Sequence, residues 1–235
     1  FISSHDGIGI RPTEGIFKKK TLNIFLKRLK KNGSKFSYRK VKNKTKKVYE
    51  ANITVFDALK KSDTDSKGEF LLERYVSAHS IIMSFEGIPA VYFNSLFGKS
   101  NDEAKYIITG NKRDVNRYKW NYKSISKKLN NKNSKQSIFF QKISNLLSVR
   151  RKQKAFHPNA SRHIINLGSK IFSFKRISID RKQTIICITN LSSITQRTHL
   201  NKVYRNWNNL IGSKIKVKNN LLILKPFETI WLSNR

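Results

Sequence analysis

The chain has 235 residues and a formal net charge of +35, from 49 Lys and Arg against 14 Asp and Glu. Hydrophobic residues make up 38% and aromatic residues 11%, which is enough to bury a core and excludes a wholly disordered chain. No apolar run approaches the roughly 20 residues of a membrane-spanning helix. Because Cys187 is the only cysteine, an internal disulfide and a cysteine-based zinc site are excluded. A single cysteine fits a reducing compartment such as the cytoplasm.

A charge of this size normally indicates a nucleic-acid-binding protein, because Lys and Arg that neutralise phosphates release counterions. Here the basic residues are spread along the chain, Lys supplies 35 of the 49, and no nucleic-acid-binding motif accompanies them. This distribution favours a solvated basic surface. We therefore expect no nucleic-acid partner and no membrane partner, and we keep a basic nucleic-acid-binding protein as the alternative from another functional class.

The first segment of the chain mixes strand and helix signals. Residues Phe1–Ser4 are predicted to be the end of a buried strand that runs into a turn rich in Gly and Pro. A helix is predicted from an N-cap at Thr21 to a stop at Asn32–Gly33. Residues 34–48 are rich in lysine and lack helical periodicity, which predicts a long loop. Since the chain opens inside an apolar run and without Met, we expect it to be a piece of a longer chain.

The middle of the chain contains two strongly patterned helices. The first is predicted from about Gly68 to Met83, and a short buried strand is predicted at Ala90–Phe93. An apolar helix next to an apolar strand indicates parallel α/β architecture. Residues 98–133 are polar and predicted to be irregular, and the second helix is predicted over Ser134–Gln153.

Short β-type runs follow Pro158 at the spacing of a sandwich. They cover residues 164–167, 170–176, 184–190, 214–217, 221–224 and 229–232. The predicted fold class is therefore α/β, with an α/β domain over residues 1–160 and an all-β domain over residues 161–235.

Two polar groups could carry chemistry. His5 and Asp6 stand where the predicted strand meets the turn, and in a (β/α) barrel such strand ends face the active site. Asp6 could oppose a developing positive charge there, or it could simply cap the turn while His5 fills space. The cluster Arg113–Arg117 could hold a hydroxyl or carboxylate through a guanidinium, or it could be a salt-bridged knot that fixes a loop.

The other candidates are weaker. His79 lies on a largely apolar helix and is predicted to be a core residue. Neither His163 nor His199 has a partner at metal-ligand spacing, so no metal site is predicted. Tyr49 and Glu50 place a ring and an acid where the predicted loop ends.

Several sequence blocks resemble the α-amylase family of retaining glycosidases, and more narrowly its sucrose phosphorylase and glucosylglycerate phosphorylase branch. The blocks occur in the family's order and are spread over essentially the whole chain: Phe1–Gly15, Tyr49–Thr54, Gly87–Gly98, Arg113–Arg117, Ala155–Pro158 and Pro226–Leu232. The resemblance implies the C-terminal portion of a (β/α)8 barrel, with its last two strands and a long inserted loop, followed by a small β-sandwich.

The resemblance also implies an activity. In such enzymes a carboxylate nucleophile attacks the anomeric carbon, a glutamate protonates the leaving oxygen, and phosphate intercepts the glucosyl-enzyme to give glucose 1-phosphate. Asp6 matches the third carboxylate, which stabilises the oxocarbenium-like transition state, and His5 matches its hydroxyl-binding neighbour. Arg113 matches the arginine that holds the glucosyl unit, and Tyr49 and Glu50 match the loop that shapes the acceptor and phosphate site.

Some features depart from the sucrose-specific pattern. Glu50 stands where sucrose-specific enzymes carry a neutral amide, and Glu50 with Arg11–Pro12 resembles the glucosylglycerate type more closely, so Arg11 joins the substrate-binding candidates. The nucleophile and the acid/base would precede Phe1, so the resemblance implies that this piece alone is inactive. We expect a small α-glucoside such as glucosylglycerate or sucrose, with inorganic phosphate as co-substrate and no cofactor. A hydrolase or transglucosidase of the same family is the alternative.

Overall fold

The structure is a computed structural model that describes residues 1–41, 45–204, 206–212 and 220–235. The chain divides into two compact units, the first formed by Phe1–Gly68 with Ala90–Phe140 and the second by Glu69–Pro89 with Gln141–Arg235. The domain boundary predicted at residue 160 falls inside the second unit and does not coincide with a limit of either unit. The division of the family's catalytic and C-terminal domains near that residue stays a prediction.

A three-stranded antiparallel sheet organises the first unit. Its order is β1–β3–β2, with β1 at Ile8–Gly9, β2 at Lys35–Lys40 and β3 at Lys46–Asn52. Helix α1, Lys19–Lys31, contributes Leu29 to an apolar cluster with Ile10, Ala51 and Ile53. The predicted helix is therefore confirmed, although its N-cap is Lys18 and not Thr21.

The prediction that residues 34–48 form a loop is wrong. β2 and β3 pair as an antiparallel hairpin across this segment, of which residues 42–44 lie outside the described ranges. Phe36 and Val48 pack against the apolar cluster, whereas Lys46 and Lys47 are exposed. Long lysine side chains can cover the outer face of a strand with their aliphatic stems, so the usual alternation of apolar and polar residues is weak here.

Residues 98–133 are more regular than predicted. They contain α5 at Glu103–Thr109, a 3-10 helix at Lys112–Asn116 and α6 at Tyr122–Asn130. Capping explains the difference, since the Asp102 side chain accepts a hydrogen bond from the Lys105 backbone N–H at the start of α5. Gly110 ends that helix in the left-handed conformation. Two four-residue helices complete the unit, α2 at Val55–Ala58 and α4 at Phe93–Leu96.

Two predicted strands are not found. Residues 1–3 belong to no strand, and Ser4 makes only an isolated bridge with Gly7. Residues 90–92 also belong to no strand, since none of the described residues pairs with them and Phe93 begins α4. Every pairing between described strands is antiparallel, so the parallel arrangement is absent from the described part of the chain. The chain is a mixed α and β protein, as predicted.

The described residues of the second unit form helix α3, Leu71–Ser84, and seven strands. Helix α7, Lys135–Arg151, begins in the first unit and continues into the second. Both helices confirm the predictions for residues 68–83 and 134–153. In chain order, the strands β4 to β10 are Ser161–Ile164, Ile171–Ile177, Thr184–Asn190, Gln196–His199, Asn208–Asn209, Leu221–Leu224 and Thr229–Ser233. One sheet has the order β4–β5–β6–β10–β8, and the other pairs β7 with β9.

The two sheets of the second unit share one apolar core, which is the arrangement of a sandwich. Ile188 from one sheet and Leu222 from the other are both fully buried in it. Strands β7 and β8 were not predicted, because both are short and polar. The run predicted at 214–217 lies outside the described residues. Among those that are described, no helix is long and apolar enough to cross a bilayer.

Candidate active site

His5 and Asp6 occupy a tight turn in the first unit. Ser4 and Gly7 close it through two backbone hydrogen bonds, with N–O distances of 3.0 and 3.2 Å. Gly7 has a φ of +124°, and a Cβ at this position would overlap the backbone carbonyl oxygen of Ala51. Only glycine therefore allows the turn to lie this close to β3.

The Asp6 carboxylate lies between two guanidinium groups. Arg113 Nη1 is 3.5 Å from Asp6 Oδ2, and Arg117 Nη2 donates a hydrogen bond to Oδ1. His5 Nε2 is 3.2 Å from the same Oδ1. The Asp6 side chain keeps 21% of its surface exposed. A carboxylate held by two cations thus remains accessible from solvent.

A β-bulge brings Tyr49 and Glu50 to the same guanidinium group. β2 and β3 slip in register just after the pair Ser37–Glu50, which leaves Tyr49 as the extra residue on β3. Neighbouring strand residues normally point to opposite faces. Here, however, Arg113 donates hydrogen bonds to both, at 3.3 Å to Tyr49 Oη and 3.0 Å to Glu50 Oε2. The bulge re-aims one side chain, as bulges next to functional sites do.

Arg113 connects the two carboxylates of the cluster. The hydrogen bond to Glu50 raises the pKa of Arg113 above its usual value, the charges of Glu50 and Asp6 act in the same direction, and partial desolvation opposes them. The guanidinium is therefore a fixed positive charge between the turn and the hairpin.

The 3-10 helix Lys112–Asn116 positions both arginines. The Asn111 side chain caps it by accepting a hydrogen bond from the Arg113 backbone N–H, and Val115 anchors it because its side chain is fully buried. Asp114 pairs with Lys105 at 3.7 Å and not with either arginine. The residues of the cluster Arg113–Arg117 are therefore not joined by ion pairs among themselves, because both guanidinium groups contact Asp6.

Two buried asparagines fix the backbone around the carboxylates. Asn52 Nδ2 donates to the backbone oxygen of Asp6 at 2.9 Å and to Glu50 Oε2 at 2.8 Å. Asn116 Nδ2 donates to the backbone oxygen of Ser4 at 2.8 Å. Their relative exposures are 0% and 2%. Neither asparagine was predicted to be a site residue.

The structure brings together five of the six predicted site residues: Asp6, His5, Arg113, Tyr49 and Glu50. Arg11 is exposed in the 3-10 helix Arg11–Thr13, and its side chain makes no hydrogen bond or ion pair with any described residue. Arg117, which the sequence placed in a polar cluster without a role, is the second cation on Asp6. The signal for it was its position four residues after Arg113, at the C-cap of the same 3-10 helix.

Within the described ranges, no group of three or more His, Cys, Asp or Glu side chains is arranged to hold a metal ion. The cluster around Asp6 consists of carboxylate, imidazole, phenol and guanidinium groups of this chain. What it offers a ligand is a partly exposed carboxylate, an imidazole and two guanidinium groups, which suits a polar or anionic molecule with many hydroxyls.

Comparison with known proteins gives relatives along the whole chain, although no protein-family model matches it. The glucosylglycerate phosphorylase of Escherichia coli (strain K12) is 30% identical over 233 residues, which are 99% of this chain and 40% of that protein. The glucosylglycerate phosphorylase of Allomeiothermus silvanus is 30% identical over 232 residues, with the same two shares. The chain thus spans about 40% of the length of these curated relatives.

Among solved structures, sucrose 6F-phosphate phosphorylase from Thermoanaerobacter thermosaccharolyticum superposes with a TM-score of 0.64 at 23% sequence identity. The match covers 80% of this chain and 35% of that protein. At this identity the likeness establishes the fold alone.

Proposed function

We propose that the chain is the C-terminal part of a retaining glucoside phosphorylase of the α-amylase family, because it is 30% identical to two glucosylglycerate phosphorylases over 99% of its length. The complete protein transfers a glucosyl unit from a small α-glucoside to inorganic phosphate and releases glucose 1-phosphate. In this proposal the chain supplies the last part of a (β/α)8 barrel and the sandwich that follows. The nucleophile and the acid/base glutamate come from a part of the protein that precedes Phe1.

The observation that carries the proposal is the pairing of the Asp6 carboxylate with both Arg113 and Arg117 at a partly exposed position. Glucosyl transfer develops positive charge on the sugar ring, and a fixed carboxylate opposes that charge most strongly when its position is held in advance. Asp6 is the transition-state stabiliser in this proposal. His5, whose side chain is 62% exposed beside it, donates to a sugar hydroxyl.

The hairpin supplies the acceptor side of the proposed site. Arg113 contacts Glu50 through Nε and Tyr49 through Nη2, whereas Asp6 lies nearest its Nη1, so one guanidinium contacts both halves of the site. A glycerate carboxylate or a phosphate is an anion, and the positive charge of Arg113 attracts either one to this part of the site. Arg11, whose side chain lacks an ion-pair partner among the described residues, stays a candidate for the same anion.

A chimera tests the proposal without requiring any sequence upstream of Phe1. In it, the matching 40% of the E. coli glucosylglycerate phosphorylase is replaced by this chain. The purified chimera is incubated with glucosylglycerate, with and without inorganic phosphate, and glucose 1-phosphate and free glucose are both measured. We expect glucose 1-phosphate to form only with phosphate, and sucrose to react more slowly.

The two ways in which the proposal can fail are distinct. Release of free glucose at the same rate without phosphate would identify a hydrolase of the same family instead. A folded chimera that releases neither product would overturn the glucoside assignment. The 235-residue chain alone serves as the negative control, for which we expect no turnover.

A further inference from the structure

Every hydrogen-bonding group of the Asn52 side chain is used, although this residue is no part of the proposed chemistry. Its Oδ1 accepts a hydrogen bond from Ser37 Oγ at 2.8 Å. Its Nδ2 donates to the Asp6 backbone oxygen at 2.9 Å and to Glu50 Oε2 at 2.8 Å. Because a hydroxyl donor faces the oxygen and two acceptors face the nitrogen, the amide has one satisfactory orientation.

Asn52 and Arg113 both donate hydrogen bonds to the same oxygen of Glu50, Oε2. Arg113 Nε is 3.0 Å from Glu50 Oε2, and its Nη2 is 3.5 Å from Oε1, so the second hydrogen bond of a bidentate pair is long. Arg113 Nη1 is at the same time 3.5 Å from Asp6 Oδ2. The guanidinium thus contacts two carboxylates and forms a tight bidentate pair with neither.

We infer that Asn52 is a positioning residue that holds the Glu50 carboxylate in place, so that Arg113 stays shared between Glu50 and Asp6. Without the amide donor, Glu50 would turn into a full bidentate pair with Arg113, the strongest geometry available to these two groups. The guanidinium would then leave Asp6 and the glucosyl side of the site. This inference rests on the proposed function and extends it, because it makes Asn52 the link between the acceptor hairpin and the turn that carries Asp6.

The test is a double-mutant cycle in the phosphorolytic chimera, combining Asn52→Ala with Glu50→Gln. If Asn52 acts through Glu50, Asn52→Ala lowers kcat/KM for phosphorolysis by about tenfold when Glu50 is present. The same change has less than about a threefold effect in the Glu50→Gln background, because a neutral amide cannot capture the guanidinium. A purely structural role predicts the same loss in both backgrounds, and that result would overturn the inference.

Asn190 provides a matched control. It is also fully buried, and its Nδ2 donates to the backbone oxygens of Ile194 and Lys225, both at 2.8 Å, while its Oδ1 accepts from Ser192. Asn190→Ala lowers the melting temperature as Asn52→Ala does, because each leaves buried polar groups unpaired. We expect it to affect kcat/KM equally, and by less than about twofold, in both backgrounds.

A milder variant keeps the test decisive if the Asn52→Ala protein does not fold. Ser37→Ala removes the hydroxyl that orients the Asn52 amide, from a half-buried position. It should lower kcat/KM by about threefold with Glu50 and leave it unchanged with Gln. If the parent chimera is active and Ser37→Ala has equal effects in the two backgrounds, the inference is contradicted while the proposed function stands. If the parent chimera is inactive, the proposed function and this inference both fail.

Discussion

Asp6 owes its position to a residue with no side chain. Gly7 allows the turn to lie against the backbone of β3, and it does so with a positive φ that L-residues rarely adopt. A methyl group there would push the turn away from β3 and would carry Asp6 away from Arg113 and Arg117.

Gly7→Ala should therefore destabilise the chimera and also lower its activity. We expect the free energy of unfolding to fall by about 3 kcal/mol, from backbone strain and from overlap with the Ala51 carbonyl. Gly15→Ala is the matched control, because Gly15 has a φ of +79° but open space around it, so strain alone should lower stability by about 1 kcal/mol. Urea denaturation measures both, and equal losses would contradict the close approach.

His79 is the core residue that its apolar helix predicted. It is 1% exposed, its Nδ1 lies 2.8 Å from the Tyr75 backbone oxygen, and burial lowers its pKa from 6.5 to about 4. Between these two values the unfolded chain binds a proton that the folded chain does not. Stability is therefore highest above pH 6.5 and falls as the pH drops towards 4.

Between pH 7 and pH 4, the protonation of this histidine should lower the free energy of unfolding by about 3 kcal/mol, since each unit of pKa difference contributes about 1.4 kcal/mol. His79→Gln should flatten the pH dependence of the free energy of unfolding across this range. His163→Gln, at an exposed strand position, should leave that dependence unchanged. Equal slopes for the wild type and His79→Gln would show that His79 is not buried in the neutral form.

The site could be predicted from the sequence only in part. Asp6, His5, Arg113, Tyr49 and Glu50 were found because they stand in blocks that resemble a known family, and the structure brings them together. Asn52 stands in one of these blocks, Tyr49–Thr54, but its role depends on a contact with Asp6, 46 positions away, which the sequence does not show. Arg117 was visible as one of several charges, but the sequence does not specify which of them reaches Asp6.

The hairpin β2–β3 is the element that sequence patterns described least well. Its many lysines weaken the alternation of apolar and polar residues that is typical of a strand, and the bulge at Tyr49 interrupts that alternation. The strongly periodic helices α3 and α7 were predicted to within a few residues, because burial of one face sets a regular spacing. The prediction of a strand at residues 90–93 was wrong for a different reason. A strand needs a second strand to satisfy its backbone hydrogen bonds, and a local apolar run does not show whether one is present.

The C-terminal end of α3 depends on a buried arginine that the sequence placed inside a strand. Arg176 is fully buried and donates hydrogen bonds to the backbone oxygens of Ser84 at 2.6 Å, His157 at 2.8 Å and Ala160 at 3.1 Å. The first of these is a terminal carbonyl of the helix, where a cation also complements the helix dipole.

Arg176→Met should lower the free energy of unfolding by about 3 kcal/mol, because three backbone oxygens lose a charged donor at a buried position. The oxygen of His157 also accepts a hydrogen bond from the Ala160 backbone N–H and keeps it. Arg162→Met is the control, since Arg162 pairs with Glu86 at 3.2 Å near the surface and should contribute less than about 1 kcal/mol. Denaturant titrations of the two variants give the comparison. Losses of the same size would contradict the structural role of Arg176.

At the scale of the whole molecule, the charge of +35 is consistent with the proposed phosphorylase function, whose substrates include anions. If the proposed function holds, basic side chains around the site raise the local concentration of phosphate and of acidic acceptors. The absence of a nucleic-acid partner stays a prediction, for which a lack of DNA binding at physiological salt is the direct check.

The relatives determine what can be tested on this chain. It spans about 40% of their length, and the proposed mechanism needs two further carboxylates from outside that share. The chimera supplies them, so residue roles in this chain become measurable as changes in kcat and KM.

The turnover of Asp6→Asn in the chimera tests the account most directly. If Asp6 stabilises the transition state, kcat for phosphorolysis falls by about 1,000-fold, while KM for the glucoside changes by less than about threefold. Asp180→Asn, which removes a carboxylate paired with Lys154 in the second unit, should leave both constants unchanged. Wild-type turnover by Asp6→Asn would contradict the assignment of Asp6, and with it the site proposed for this chain.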